Sequence, residues 1–345
     1  MSGVFDSLRL VTNGRTLGLE QAQLTMGEVM DGVASPLQVA ALLGALRMRG
    51  ESIEEITGFA QAMQARMVRV EPRSRPLVDT CGTGGDASTH AVSTFNISTA
   101  ASFIAAGAGA TIAKHGNRAV SSRTGSSDVL EALGVRLDIA PEGIARCIDE
   151  VGIGFMFAPA HHPALQHAAP IRRELGIRTV FNLVGPLVNP ASAQRRMMGV
   201  WDARWIEPIA QVLAGLGVER AIVCHSRDGM DEFSTLAPTD YILLDQGQTS
   251  RHVLEPRELG IERADARALA GGEASDNARL IEQLLLDSAR PTGDIACLNA
   301  AAVLIVSGQA WDFGEGLELA RASVRSGAAR DKLARLAELS NRSDL

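Results

Sequence analysis

Aromatic residues make up only 4% of this 345-residue chain, with a single Tyr beside 9 Phe and 3 Trp. The core must therefore be built from Ala, Leu, Val and Ile, and the stacked aromatic platforms of single-strand nucleic-acid binders are not expected. Positive charge is not in excess either: 33 Lys and Arg face 40 Asp and Glu, a formal charge of −7. That balance suits solubility and argues against a broad nucleic-acid surface, while leaving room for a local basic pocket. The four cysteines, Cys81, Cys147, Cys224 and Cys297, form no Cys-x-x-Cys pair, so neither a zinc site nor a disulfide framework is expected. The longest uncharged run, Ala87 to Ala113, is full of Ser, Thr, Asn and Gly, which excludes a membrane span there. Asp6 and Arg9 stand where a signal peptide would have its apolar centre. The expectation is a soluble cytoplasmic protein. With 46% apolar and 21% charged residues, disordered and fibrous classes are excluded, and the length predicts about two domains.

The first 72 residues show helical periodicity and no strand pattern, which predicts a small helical domain. Ser35-Pro36-Leu37-Gln38 reads as a capping box opening a helix that Gly50 ends, and Ser52-Ile53-Glu54-Glu55 opens another that runs to about Val68. Beyond Pro72 and Pro76 short apolar strands alternate with helices over 73–345, the pattern of an α/β domain whose central, mostly parallel sheet is flanked by helices. Expected strands are Leu77–Asp79, Thr111–Lys114, Gly154–Phe157, Met198–Trp201, Ala221–Cys224 and Tyr241–Leu244. Expected helices are Ser98–Ala108, Ser127–Leu133, Ala203–Leu216, Asn277–Ser288 and most of 294–340.

Four segments carry chemistry. Gly82-Thr83-Gly84-Gly85-Asp86 follows a strand, and its glycines let successive N–H groups face one anion, although it matches neither a dinucleotide fingerprint nor a Walker loop. Thr94-Phe95-Asn96-Ile97-Ser98-Thr99 opens a helix with four oxygen-binding side chains at the positive end of its dipole, a phosphate site by construction. Lys114-His115-Gly116-Asn117-Arg118, with Ser121-Ser122 and Gly125-Ser126 after it, stands at the end of the next strand, where ligands bind in open α/β sheets. Glycine-rich, hydroxyl-rich and cationic loops delivered by two strand ends are what a diphosphate requires. Asp231-Glu232 is an adjacent carboxylate pair in a loop beyond a strand, suited to Mg²⁺, which takes one or two carboxylates together with waters and phosphates. His161-His162-Pro163 and Arg172-Arg173 form a further constellation on a loop and the helix after it.

Together these segments resemble the anthranilate phosphoribosyltransferases of tryptophan biosynthesis. The likeness also takes in Gly125-Ser126-x-Asp128-x-Leu130-Glu131-Ala132-Leu133-Gly134, His162-Pro163 and Arg178-Thr179-x-Phe181-Asn182-x-x-Gly185-Pro186-Leu187-x-Asn189-Pro190, and it runs in order over nearly the whole chain. The resemblance implies a nucleoside phosphorylase/phosphoribosyltransferase-like fold, in which part of 163–185 joins the helical domain. It implies pentosyl transfer from 5-phosphoribosyl-1-diphosphate (PRPP) to the amine of anthranilate, with Mg²⁺, in a homodimer built through the helical domain, and no nucleic-acid or membrane partner. By motif position, Gly82, Gly85, Asp86, Thr94, Asn96, Ile97, Ser98, Thr99, Lys114, Gly116, Arg118, Ser121, Ser122 and Ser126 belong to substrate binding, chiefly of PRPP. Ser98, Asp231 and Glu232 stand as metal ligands, and Asn117 and Arg172 as anthranilate contacts with His115 and His162 lining the same channel. No nucleophile is implied; Lys114 and Arg172 support a reaction that runs on positioning and charge.

Two departures accompany the match. Nine residues, Ala87 to Phe95, separate Asp86 from Asn96, more than the family pattern implies, which lengthens the loop over the ribose phosphate. His225-Ser226-Arg227-Asp228-Gly229 replaces a more glycine-rich stretch before the acidic pair. A pyrimidine nucleoside phosphorylase shares the architecture but requires a different loop at Lys114–Arg118. A non-catalytic nucleic-acid-binding relative requires a basic surface and an eroded acidic pair, and neither is present here.

Overall fold

The computed structural model describes residues 3–84, 93–118 and 123–343. Four helices come first: α1 (Gly3–Thr12), α2 (Leu19–Met30), α3 (Pro36–Arg49) and α4 (Ile53–Gln64). Ser52 opens α4 through a full capping box, its Oγ accepting from Glu55 N–H at 3.2 Å while Glu55 accepts from Ser52 N–H at 2.8 Å. The expected box at Ser35 is absent: the Pro36 ring sets the first turn of α3 with no side-chain cap bond. Gly50, at φ +89, ends α3 as expected. Helix α4 stops at Gln64 rather than near Val68.

The α/β part then runs β1 (Val78–Gly82), α5 (Ile97–Gly107), β2 (Ile112–Gly116), α6 (Ser126–Ala132), α7 (Pro141–Val151), β3 (Ile153–Phe157), the one-turn α8 (Ala158–His161), α9 (Ala169–Leu175) and α10 (Phe181–Leu187). After these come β4 (Arg195–Gly199), α11 (Ile206–Gly215), β5 (Arg220–Ser226), β6 (Thr239–Asp245), β7 (Gln248–Leu254), α12 (Ala274–Leu286), α13 (Pro291–Ser307), α14 (Phe313–Arg325) and α15 (Ala328–Ser340). The seven strands lie in the order β3-β2-β1-β4-β5-β6-β7. The first five are parallel; β6 and β7 run antiparallel at one edge.

Strand alternation sends buried side chains to the two faces of the sheet, where they form two large cores and a smaller one around Leu77, Ala113, Ile148 and Met156. Val78, Ile112, Ile153, Met197 and Ile222 face a core made with α5, α13, α14 and α15. Met198, Ala221, Val223 and Leu244 face the other way, into a core continuous with Val4, Leu17, Leu46 and Phe59 of the N-terminal helices and with Phe181, Val184 and Leu187 of α10. Among the described residues no single helix is long and apolar enough to cross a membrane.

The β4 strand begins three residues before the expected Met198 because two arginines open it. Arg196 is 2% exposed and donates to Asp79 Oδ2 on β1 at 3.0 Å, and Asp79 Oδ1 accepts the His115 N–H of β2 at 3.1 Å. One buried carboxylate thus ties three adjacent strands. The polar edge strand β7 is exposed along nearly its whole length, so no apolar alternation marks it; Gln246 and Gly247, both at positive φ, make the tight turn that enters it. Helix α7 is not among the expected elements either, although Ile144, Cys147, Ile148 and Val151 share its buried face.

Removing one partner of a buried ion pair leaves the other charge without compensation, at about 3–5 kcal/mol. Arg196→Met should therefore lower the urea unfolding midpoint sharply, and Arg196→Met with Asp79→Leu should recover part of the loss. Equal losses in the single and double variants would show that the pair does not hold these strands.

Candidate active site

The chain leaves β1 for β2 and β3 on one side and returns for β4 and β5 on the other, so the carboxyl ends of β1 and β4 flank the topological switch point. Gly82 ends β1 and Gly199 ends β4, in register with each other. Thr83 N–H donates to Gly199 O at 3.0 Å, and Thr83 Oγ1 accepts from Trp201 N–H at 2.9 Å. Into this seat comes Asp231, 7% exposed, whose Oδ2 accepts the Gly84 N–H at 2.7 Å. A β-carbon on Gly199 would collide with Asp231 O, and one on Gly82 would collide with Asp231 Oδ2. A side chain at position 199 would displace the backbone of the acidic loop, and one at position 82 would turn the Asp231 carboxylate out of its place. Gly85 and Asp86, and with them residues 87–92 of the lengthened loop, lie outside the described residues.

Beside that seat begins α5. Its expected array of four oxygen-binding side chains is used in a more divided way. Asn96 holds the N-cap position without a cap bond; its amide donates to Thr124 O at 3.1 Å and its Oδ1 accepts from Asn277 of α12 at 3.0 Å. Thr94 forms an isolated bridge with Ala270. Ile97 is 2% exposed, so it has only its backbone to offer. Thr99 Oγ1 is buried with no partner among the described residues, and Ser98 Oγ lies 3.2 Å from the Lys114 ammonium. Lys114, buried on β2, also donates to Thr80 O at 2.5 Å and Thr80 Oγ1 at 3.2 Å. Burial pulls its pKa below the ordinary lysine value, opposed by the charges of Asp79 and Glu232. Ser98, Lys114 and the acidic loop therefore form one neighbourhood.

Gly116 ends β2. Asn117 O accepts from Ser127 N–H at 3.3 Å and Ser126 Oγ at 3.4 Å, which folds the start of α6 back over the strand end. The Arg118 guanidinium is engaged with Glu131 at 2.6 Å and Asp128 at 3.0 Å, away from Lys114. Ser121 and Ser122 lie outside the described residues.

His115, next to Lys114, points to the opposite face of the sheet. Its ring lies 5.1 Å from that of His162, and both nitrogens of His162 are buried without a partner among the described residues. His161 is anchored through Nδ1 to Val68 O at 2.9 Å. Burial, then the neighbouring His161, pushes the His162 pKa down to about 4, and burial holds that of His115 well below the usual histidine range. Arg172 on α9 stacks over the Phe181 ring at 5.1 Å and has no carboxylate partner among the described residues; burial lowers its pKa.

Sequence reasoning missed several supporting residues: Asp79 and Arg196, Gly199 opposite Gly82, Asn277 behind Asn96, and Asn299 of α13 behind the acidic loop. Gly199 lies inside the apolar run Met197–Trp201, so nothing in the sequence marks it as a strand end. A lone Asn within a helix carries no signal either.

Two family descriptions account for the chain: a glycosyl transferase family helical bundle domain over residues 6–67, and a glycosyl transferase family a/b domain over residues 74–330. The fold and the site thus define a two-domain glycosyl transferase. Anthranilate phosphoribosyltransferase of Thermomicrobium roseum is 51% identical over 97% of this chain and 96% of its own, and that of Symbiobacterium thermophilum is 50% identical over 97% of each. Among solved structures, the Thermus thermophilus enzyme superposes with a TM-score of 0.91 at 40% identity, covering 99% of this chain and all of that one. The Saccharomyces cerevisiae enzyme in complex with PRPP and Mg superposes with a TM-score of 0.88 at 25% identity, covering 99% of this chain and 98% of that one. The chain belongs to the anthranilate phosphoribosyltransferases, and its activity is transfer of the phosphoribosyl group of PRPP to the amine of anthranilate in tryptophan biosynthesis.

His162 gives a pH prediction. Its folded pKa of about 4 lies below the unfolded value near 6.5, so both states are neutral above 6.5 and its contribution is then complete. As pH falls from 6.5 towards 4 the unfolded chain takes up a proton that the folded one refuses, and up to about 3 kcal/mol is lost. The melting temperature should fall between pH 7 and pH 5, and His162→Gln should flatten part of that slope. A melting temperature constant across this window would contradict the assignment.

Proposed function

We propose that the transfer takes place in the crevice above β1 and β4, with PRPP gripped on the α5 side of the sheet and anthranilate on the side of the helical domain. The observation that carries this reading is the divergence of Lys114 and His115: adjacent residues of β2, one facing Ser98 and the other facing His162. Two chemically unlike pockets then meet at one strand end, as a reaction joining an anionic sugar phosphate to an aromatic amine requires.

Departure of diphosphate develops positive charge at the ribose C1′ and negative charge on the leaving group, so catalysis is a matter of positioning and neutralisation. Gly82, the first-turn N–H groups of α5, Ser98, Thr99, Lys114 and Ser126 bind the phosphates in this reading, and Gly85 and Asp86, outside the described residues, are assigned to PRPP by motif position alone. Asn96 and Thr94 contribute mainly through the backbone, because the Asn96 side chain is taken by Thr124 and Asn277. The oxygen donors Asp231, Glu232 and Ser98 fit a hard cation: two carboxylates and a hydroxyl beside a cationic lysine are the set for an ion that takes its other ligands from waters and phosphates. A Mg²⁺ ion held by Asp231, Glu232 and Ser98 would supply the positive charge that offsets the departing diphosphate. Arg172 is the carboxylate grip for anthranilate, supported by a partly buried guanidinium that lacks an acidic partner among the described residues and stacks on Phe181. His115 and His162, held neutral, line the channel to it. An aromatic amine is unprotonated at neutral pH, so no strong base is required.

We further take the enzyme to be a cytoplasmic homodimer joined through the N-terminal helices, supported by the exposed apolar side chains of Val33, Leu37 and Met48 on and beside α3. Light scattering that reported a monomer mass would remove this assembly.

Anthranilate fluorescence should fall with PRPP and Mg²⁺ and not with PRPP and EDTA. Arg172→Ala should raise the anthranilate KM by about tenfold or more with little change in the PRPP KM, the scale of a lost charged hydrogen-bond pair. Equal losses for both substrates would refute the carboxylate role.

A further inference from the structure

Helix α13 is buried from Ile295 to Ser307, and its interior is apolar apart from Asn299, which is 1% exposed. Burying an amide is unfavourable unless its bonds are remade. Here they are all remade, and mainly to one residue outside the helix. Asn299 Oδ1 accepts the Phe233 N–H at 2.9 Å, while Nδ2 donates to Phe233 O at 2.9 Å and to Ile295 O at 2.9 Å. Phe233 is the residue immediately after Asp231-Glu232. Its ring is fully buried against Phe313 at 4.9 Å and Tyr241 at 5.4 Å.

The other end of the acidic pair is fixed as well. Met230 is fully buried, and its carbonyl accepts the Ser226 N–H at 2.9 Å. Asp231 and Glu232 are therefore the only two residues between two buried anchors, with Asp231 O pressed on Gly199. We propose that Asn299 is a positioning residue for the reaction: its two-bond clamp on the Phe233 peptide sets where the Asp231 and Glu232 carboxylates stand, and so sets the affinity for Mg²⁺ carried by the diphosphate. The inference rests on the metal assignment above. Asn299 touches neither substrate nor metal; it acts through the loop, as partners behind metal ligands do, where loss changes metal affinity by about 10–100-fold.

The test compares Asn299→Leu, which has similar volume but no bonds for Phe233, with Asn299→Asp, which keeps only the acceptor. Val303→Ala, elsewhere on the same helix, serves as a stability control, and Asp231→Asn with Glu232→Gln as a metal-loss control. The measurements are the Mg²⁺ concentration for half-maximal activity, the two KM values, and the Mg²⁺-dependent part of the thermal shift produced by PRPP. Asn299→Leu should raise the Mg²⁺ requirement and the PRPP KM about tenfold, leave the anthranilate KM within about twofold, and shrink the thermal shift. Val303→Ala should lose melting temperature without changing the Mg²⁺ requirement. If Asn299→Leu does not fold, Asn299→Asp should show a smaller change in the same direction. An unaltered Mg²⁺ requirement in the folded Asn299 variants, or an equal rise in Val303→Ala, overturns the positioning role alone. A Mg²⁺-dependent thermal shift that survives in the Asp231→Asn, Glu232→Gln protein overturns the metal assignment and this inference with it.

Discussion

A β-carbon has no room at the carboxyl ends of β1 and β4, and the architecture of the site follows from that. Asp231 lies with its carbonyl against Gly199 and its carboxylate against Gly82 and the Gly84 N–H, so the acidic loop after β5 is seated across the gap at which strand order reverses. In doubly wound sheets that gap is where loops diverge and leave a crevice. In this chain the crevice is floored on one side by an acid, and the same acid bonds the glycine-rich turn. The turn and the acidic pair, 147 residues apart in sequence between Gly84 and Asp231, are a single unit in space.

From that floor, alternation along the strands sorts the chemistry. On β1, Thr80 faces α5 and bonds Ser102 and Lys114, while Asp79 faces the other way to hold Arg196. On β2, Lys114 and His115 repeat the division. A period of two residues is enough to separate a hydroxyl-and-cation surface from an imidazole-lined one without any insertion or extra element. Asp79 also restrains the two neighbouring strands, and the relative heights of these two surfaces are thereby fixed by one buried carboxylate.

Much of this was legible in the amino-acid order, and the parts that were not share a cause. Helix α3 falls on its expected bounds because Pro36 and Gly50 act locally, and α5 lies within one residue of expectation because its apolar and small residues leave no alternative. The motif segments at Gly82, Ser98, Lys114 and Asp231 were visible because loops at strand ends are short and carry unusual residues. What failed to show depends on partners distant in sequence. Arg195 and Arg196 look like a loop until Asp79 neutralises Arg196 from 117 positions away. Strand β7 has no buried face to imprint a pattern, and Asn299 reads as an irregularity in an apolar helix until Phe233 is beside it. The Asn96 side chain looked available to ligand because nothing local told of Asn277. Local signals mark the residues assigned to the substrates; the residues that hold those in place are specified only by the fold.

That distinction has an energetic side. Three of the supporting polar side chains are well satisfied: Asn299 uses both its donors and its acceptor, Asn189 bonds Ala113 O, Ala191 N–H and Ala193 N–H, and Asp79 bonds two strands, although Arg196 Nε is buried without a partner among the described residues. The groups assigned to the substrates are less so. Thr99 Oγ1 and both His162 nitrogens are buried without partners among the described residues, and the Arg172 guanidinium is partly desolvated without an acid. Polar groups desolvated in advance weaken the fold, since each would be better hydrated in the unfolded chain. They strengthen association for the same reason, because a ligand oxygen or carboxylate meets a donor already stripped of water and held in place. Rigid, fully bonded supports such as Asn299 keep the neighbouring backbone from shifting beneath these groups.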